Sequence, residues 1–536
     1  MKKIICLLIC AALTISLFSC SSGEGVSDSQ NWGKNENADS GNYAMDGDYN
    51  YAPEREYPYS DEEYLEITEN KEVDVSDNSV VTFSLKIDSA SYRNVARYIE
   101  DGSLPPKDAV RIEEMINYFS YEEILPENNT PFAIYTELGQ SPFNHVDLNG
   151  DGYADNYLAF IRVKSKDIDK DNLPDSNLTF LIDTSGSMDS YDKLPLLKSA
   201  FSLLVETLTE NDVVSIVTYA GSAGILLDSV RGNQKDKIIS AIDNLSAGGS
   251  TAGADGINTA YKLAEKNFMK NGNNRVILAT DGDFNVGVSS VKALENLMTE
   301  KRDSGVYLTI LGFGTENLKD NKMETMAKNG SGNYHYIDSV TAAKKVLVDE
   351  LSANLFTIAD DVKAQVEFNP ALVSTYRLIG YENSMLKNKD FENDRKDAGE
   401  IGIGTDVVLM FELELADSSP ILKYQPNKNI SNISDITDLS DELFEVRIRY
   451  KNPGESESLL ITHPVKTDRI FDFNTNDFIF ASSVAGFGMI LRSSEYTGSF
   501  TADKLLAKAM DSIGKDRNGY RKEFIELVKK YQRIDG

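Results

Sequence analysis

The sequence predicts an α/β protein: a doubly wound parallel-sheet domain inserted between flanking β-rich regions, with a helical C-terminal part. Three observations predict it. Between residues 177 and 355, continuous apolar runs such as Leu178-Thr179-Phe180-Leu181-Ile182 alternate with amphipathic stretches of helical period, the mark of buried parallel strands joined by crossover helices. On either side, shorter segments alternate apolar and polar residues between turn signals such as Lys451-Asn452-Pro453-Gly454, the pattern of antiparallel strands with one buried face. Beyond residue 471 the apolar spacing becomes helical again.

At 536 residues, 41% of them hydrophobic, the chain is long enough for several domains with real cores. The 85 Asp and Glu against 54 Lys and Arg give a formal net charge of −31, which argues against a nucleic-acid partner. Three histidines leave little scope for a zinc enzyme. The three cysteines, Cys6, Cys10 and Cys20, all lie in the first 20 residues, so a disulfide scaffold is excluded. Lys2-Lys3 precede an apolar run, Ile4 to Phe18, that is short for a membrane span. Leu17-Phe18-Ser19-Cys20 then resembles a bacterial lipobox. Residues 1–19 are therefore predicted to be a lipoprotein signal peptide and Cys20 the lipidated mature N-terminus, with an ordinary signal peptide or membrane anchor as the alternative. The implied location is the bacterial cell envelope, lipid-anchored, with the outer membrane as the expected membrane. Residues 20–78 lack any period and read as a disordered polar tether, which holds Trp32, the one tryptophan.

The elements follow in order. Residues 79–175 form an N-terminal α+β region, with strands at 80–87, 131–138 and 157–163 and helices at 91–100 and 108–119. The parallel domain spans 176–358. Its strands are expected at 178–182, 213–217, 275–279 and 307–311, and its helices at 193–208, 235–245, 254–268, 290–301 and 342–355. In 359–470 the alternating stretches are 362–368, 375–381, 406–415, 444–450 and 458–461. Strands from both flanks are expected to build one β-sandwich, with the parallel domain inserted in one of its connections. Residues 471–536 read as helices at 478–491 and 502–531.

In an open α/β sheet, ligands bind outside the carboxyl ends of the strands. Three polar loops fall there. Asp183-Thr184-Ser185-Gly186-Ser187 follows the first strand, Gly248-Gly249-Ser250-Thr251 opens a helix, and Thr280-Asp281-Gly282-Asp283 follows the strand ending at Ala279. From them Asp183, Asp281, Ser185, Ser187 and Thr251 would offer two carboxylates and three hydroxyls, a hard-oxygen set suited to Mg²⁺, Mn²⁺ or Ca²⁺. With so few carboxylates the ion would stay under-neutralised and keep a water-filled position open to an acidic group.

Asp183, Ser185, Ser187, Thr251 and Asp281 together resemble the metal-ion-dependent adhesion site of von Willebrand factor type A (VWA) domains, as found in integrins. The resemblance implies direct coordination by Ser185 and Ser187, and direct or water-mediated coordination by Thr251, Asp183 and Asp281. Asp283 matches no ligand position. Thr82 to Tyr92, Leu104 to Phe119, Tyr376 to Asn383, Asp397 to Gly402 and Gly486-Phe487-Gly488-Met489 are similar to blocks of the bacterial YfbK-type VWA lipoproteins, a likeness covering nearly all of residues 80–536.

A second candidate is Asp147-Leu148-Asn149-Gly150-Asp151-Gly152-Tyr153-Ala154-Asp155. Asp147, Asn149, Asp151 and Asp155 sit at positions 1, 3, 5 and 9 of a calcium loop, Tyr153 at the backbone-carbonyl position, and Gly152 at the sharp turn. Leu158 stands at position 12, so the bidentate Glu of an EF-hand is absent. A polar turn between strands is the alternative. Asp167, Asp169, Asp171 and Asp175 have similar spacing without the glycine.

The chain contains no Gly-x-Ser-x-Gly elbow, no P-loop and no His/Cys constellation, and His335 and His463 read as structural. The expected function is therefore metal-dependent binding of a protein ligand through an acidic side chain rather than catalysis. A structural role in an envelope complex is the alternative, with a carboxylate-based hydrolase behind both. Calorimetric titration with calcium is expected to show one site fewer in Asp151→Ala; an unchanged number would remove the second calcium loop.

Overall fold

The computed structural model describes residues 61–86, 88–126, 130–143, 156–169, 172–249, 253–283, 290–302, 304–315, 317–396, 398–416, 441–471 and 473–535. Cys20, Thr251 and the whole 147–155 loop lie outside the described residues, as does Asp171. Contacts divide the chain into 1–58 and 59–536, and only the second unit falls among the described residues.

Strand Ser176–Asp183 is buried at every position, because its apolar residues face helices on both sides of a sheet. The sheet runs in the order Gly332–Ile337, Tyr307–Phe313, Asn273–Thr280, Ser176–Asp183, Val213–Tyr219, Ala223–Arg231. On one face Phe180 meets Leu197 and Phe201 of helix Leu194–Thr207 and Ile238 of helix Lys235–Asp243. On the other Leu181 meets Ile257, Tyr261, Met298 and Met323 of helices Gly253–Lys266, Val291–Arg302 and Asp320–Asn329. One expectation needs correcting: the sheet is not wholly parallel. Ala223–Arg231 pairs antiparallel with Val213–Tyr219 and forms the edge. Its Ile225 and Leu226 are exposed, so it lacks the continuous buried run that marked the other strands.

The remaining strands form two sheets to which both flanks contribute. The first runs Val73–Asp74, Val373–Ile379, Asp406–Leu415, Asn156–Ser165, Phe132–Gln140. The second runs Met385–Leu386, Val80–Ser84, Thr357–Phe368, Glu442–Lys451, Ser458–Lys466, with Gly399–Gly402 also paired to Thr357–Phe368. Their facing side chains share one core, in which Phe132 meets Tyr450 at 5.3 Å between ring centres and Phe368 meets Phe411 at 5.5 Å. Helix Asn476–Arg492 covers the outer face of the first sheet. There Phe160, Val408 and Met410 join Phe478, Phe480, Phe487 and Phe524 in a further core.

The tether expected over 20–78 is ordered in its last part, where Asn70 donates to Gly380 O at 2.7 Å and Val73–Asp74 pairs with Val373–Ile379. Four further elements differ from the expected ones. The helix expected at 108–119 is an α-helix only over Ile112–Asn117; Arg111 before it is extended and its N–H donates to Ser91 Oγ at 2.8 Å. The helix expected at 342–355 divides into Val340–Lys344, a π turn at Lys345–Asp349, and Leu351–Leu355. At the π turn Lys345 Nζ sits between the Tyr118 and Tyr520 rings, 4.6 and 4.5 Å from their centres. The helix expected at 502–531 ends at Asp511 and resumes at Tyr520, because Gly514 and Gly519 adopt left-handed φ values of +55° and +83°. The strand expected at 458–461 continues to Lys466 through Pro464, which an edge strand tolerates.

The junction of helix Ile112–Asn117, the sandwich and the parallel domain buries an unusual set of charges. Arg111, 2% exposed, donates to Glu114 Oε1 at 2.5 Å and to Asp320 Oδ2 at 2.7 Å. Beside it Glu113 is pushed up to about 7, by burial first and by the Glu382 carboxylate second. A carboxyl raised in the folded state holds its proton more tightly there than in the unfolded chain, so stability falls as pH climbs from its ordinary value toward about 7. Unfolding free energy is expected to drop by about 2–3 kcal/mol between pH 5 and 8 through this group. Urea titrations at several pH values should show that slope, and should show it flattened in Glu113→Gln; an equal slope in both would assign it elsewhere.

Candidate metal-binding rim

The carboxyl ends of the central strands gather the predicted donors. Asp183 ends its strand fully buried, and its Oδ1 accepts the Ser185 N–H at 2.9 Å, the tight turn that Asp-x-Ser favours. Its Oδ2 accepts the Thr280 hydroxyl at 3.1 Å from the neighbouring strand. Burial foremost, then the Asp281 charge, pushes the Asp183 carboxyl up to about 6. The Ser185 and Ser187 hydroxyls lie 2.9 Å apart. Asp281 is also fully buried and its Oδ1 accepts the Asp283 N–H at 3.1 Å, which accounts for Asp283 as part of the turn.

The third loop docks by two backbone bonds, Gly248 N–H to Thr184 O at 2.8 Å and Gly186 N–H to Gly249 O at 3.1 Å. The structure thus brings Asp183, Ser185, Ser187 and Asp281 to one rim and seats the glycines that precede Thr251 against it, while Thr251 itself is outside the described residues. Among the described residues no three of His, Cys, Asp and Glu gather as a metal site. The rim instead holds two carboxylates and two facing hydroxyls, a donor chemistry that fits a hard divalent ion whose remaining positions are filled by hydroxyl or water.

Sequence reasoning missed two residues here. Lys193 Nζ donates to Asp281 Oδ2 at 3.0 Å, Ser187 O at 2.9 Å and Asn317 Oδ1 at 2.7 Å, and the Asn317 amide donates to the same Asp281 oxygen at 3.1 Å. The available signal is a lysine six residues after Ser187, directly before the apolar turn Leu194-Pro195-Leu196-Leu197 that opens the helix. The loop that carries Asn317 is held from outside by an extended strap. Glu63 N–H donates to Leu318 O and Asn321 N–H to Glu63 O, both at 3.0 Å, while Lys319 N–H donates to the Asp281 carbonyl at 3.2 Å. The described histidines, His335 and His463, lie elsewhere. His335 is 2% exposed, its Nδ1 lies 2.9 Å from Ser89 Oγ, and burial pushes its pKa down to about 3, so it stays neutral in the core.

Three family models match the chain: von Willebrand factor type A domain over residues 177–349, von Willebrand factor over 58–148, and the C-terminal part of the uncharacterized protein YfbK over 353–534. The uncharacterized protein YfbK of Escherichia coli is 42% identical over 459 residues, which cover 84% of this chain and 77% of that one. The uncharacterized protein sll0103 of Synechocystis is 30% identical over 183 residues, 34% of this chain and 42% of that one. Among solved structures, a von Willebrand factor type A protein from Catenulispora acidiphila aligns over 76% of this chain and 92% of its own, at 13% identity and a TM-score of 0.42.

The Thr280 hydroxyl both donates to Asp183 and accepts the Gly282 N–H at 2.9 Å. Thr280→Val is expected to cost about 1–3 kcal/mol, because it leaves two buried groups without their partner. Urea unfolding in EDTA measures this apart from any ion, and a loss below about 0.5 kcal/mol would mean that the hydroxyl does not hold the rim together.

Proposed function

Because this chain belongs to the family of YfbK-type von Willebrand factor type A proteins, we propose that it is an envelope protein that binds a protein ligand through a divalent ion held at the rim described above. VWA domains serve protein interaction and adhesion generally, and the finer reading rests on one observation: Asp183, Ser185, Ser187 and Asp281 are brought to one edge as a hard-oxygen set. Ser185, Ser187, Asp183 and Asp281, with Thr251, would hold Mg²⁺, Mn²⁺ or Ca²⁺. The ion would supply an electrophilic position for an acidic side chain of the partner. The basis for a lipid anchor at Cys20, and so for an outer-membrane address, is the lipobox-like Leu17-Phe18-Ser19-Cys20. No helix among the described residues is long and apolar enough to cross a membrane.

Pull-down from solubilised envelope is expected to recover the partner in the presence of divalent ion and to lose it in EDTA. Asp183→Ala and Ser185→Ala should reproduce the loss, at least about tenfold, with melting behaviour retained. Undiminished capture by both variants would favour a structural role in an envelope complex over metal-switched binding.

A further inference from the structure

Lys193 is placed with unusual completeness for a lysine. Its side chain is 7% exposed, and all three ammonium hydrogens have an acceptor: the Ser187 carbonyl, Asp281 Oδ2 and Asn317 Oδ1. Its methylene stem lies against Gly314, where φ is +85° and where any β-carbon would overlap the stem. The groove is therefore shaped for this side chain, and its charge is delivered onto a carboxylate of the proposed metal set.

With Asp183 and Asp281 ionised, the two carboxylates carry a charge of −2 and Lys193 returns it to −1. A divalent ion approaching Asp281 meets an oxygen already shared with an ammonium, in a buried setting where charges are weakly screened. We propose that Lys193 is an internal counter-ion of this site: it competes with the divalent ion for Asp281, keeps ion affinity low, and leaves the loaded site net positive toward an acidic ligand. This rests on the metal-dependent reading above and deepens it, since it assigns the residue that tunes the ion and the charge class of what the ion recruits. Asn317 acts with it as a positioning residue, because it bridges the ammonium and the same Asp281 oxygen.

The test is calorimetric titration of the full chain with Mg²⁺ and with Mn²⁺, alongside thermal melting with and without the ion. Binding lost in Asp183→Ala defines the rim component, and if that variant loses none, the metal reading itself falls. Lys193→Gln, which keeps a donor but no charge, is expected to bind the ion at least about tenfold more tightly and to gain more in melting temperature from it than the unsubstituted chain does. Lys193→Arg keeps the charge and is expected to stay near the unsubstituted affinity. Gly314→Ala leaves the lysine in the sequence but evicts its stem, and should also tighten binding, so the proposal remains testable if Lys193→Gln folds poorly. Unchanged or weaker ion binding in both Lys193→Gln and Gly314→Ala, or equal tightening in Lys193→Arg, would overturn it.

Discussion

Strand Thr357–Phe368 is the constraint on which the architecture outside the parallel domain depends. The chain leaves that domain at helix Leu351–Leu355 and one residue later enters the middle of a sandwich sheet. There it pairs with Val80–Ser84 from before the domain and with Glu442–Lys451 from after it, and near its start with Gly399–Gly402. A buried strand needs both rows of backbone groups satisfied, so this one strand obliges both flanks to be present at once. It also orients the rim that carries Asp183 and Asp281. The amino ends of the parallel strands meet the sandwich, where Tyr307 donates to Asp360 at 2.9 Å and Arg275 to the Thr357 hydroxyl at 3.2 Å. The carboxyl ends, which carry Asp183 and Asp281, therefore face away from that contact.

Buried arginines reinforce the same joins. Arg111 ties helix Ile112–Asn117 to Asp320 of the parallel domain, Arg93 ties helix Ala90–Glu100 to Asp338, and Arg521 ties the last helix to Asp477 of helix Asn476–Arg492 at 2.6 Å. Arg377 and Glu412 join adjacent strands of the first sandwich sheet, and Arg492 joins Glu382 at 2.7 Å. Removing one member of such a pair leaves an uncompensated buried charge and costs about 3–5 kcal/mol, more than an exposed pair is worth. The acid excess thus has two parts: a solvated surface, and a minority of buried carboxylates that fix how elements distant in sequence meet.

The parallel domain was the most legible part of the sequence, because strands buried on both faces need unbroken apolar runs and their loops must then fall at one rim. That Asp183, Ser185, Ser187 and Asp281 fall at that rim could be read for the same reason. The edge strand Ala223–Arg231 could not, since its outer face is wet and its pattern resembles a loop. Lys193 was also hidden. A lysine's role in a buried network is set by acceptors from Ser187, Asp281 and Asn317, of which the last lies over a hundred residues away. The helices expected at 342–355 and 502–531 look continuous in sequence because helical period persists across a π turn or a short left-handed break. What interrupts them is tertiary: Lys345 between two rings, and glycines turning the chain back onto the aromatic core.

The way the chain threads through the sandwich also orders its assembly. Residues 176–355 are contiguous, so the parallel domain has all of its strands within one stretch. Phe132–Gln140 finds its partner at once in Asn156–Ser165, but Val80–Ser84 and the other edge of Asn156–Ser165 must wait for Thr357–Phe368 and Asp406–Leu415, roughly 240–290 residues downstream. Long-range pairing of this kind is slow. The N-terminal flank is therefore the stretch most exposed to premature pairing.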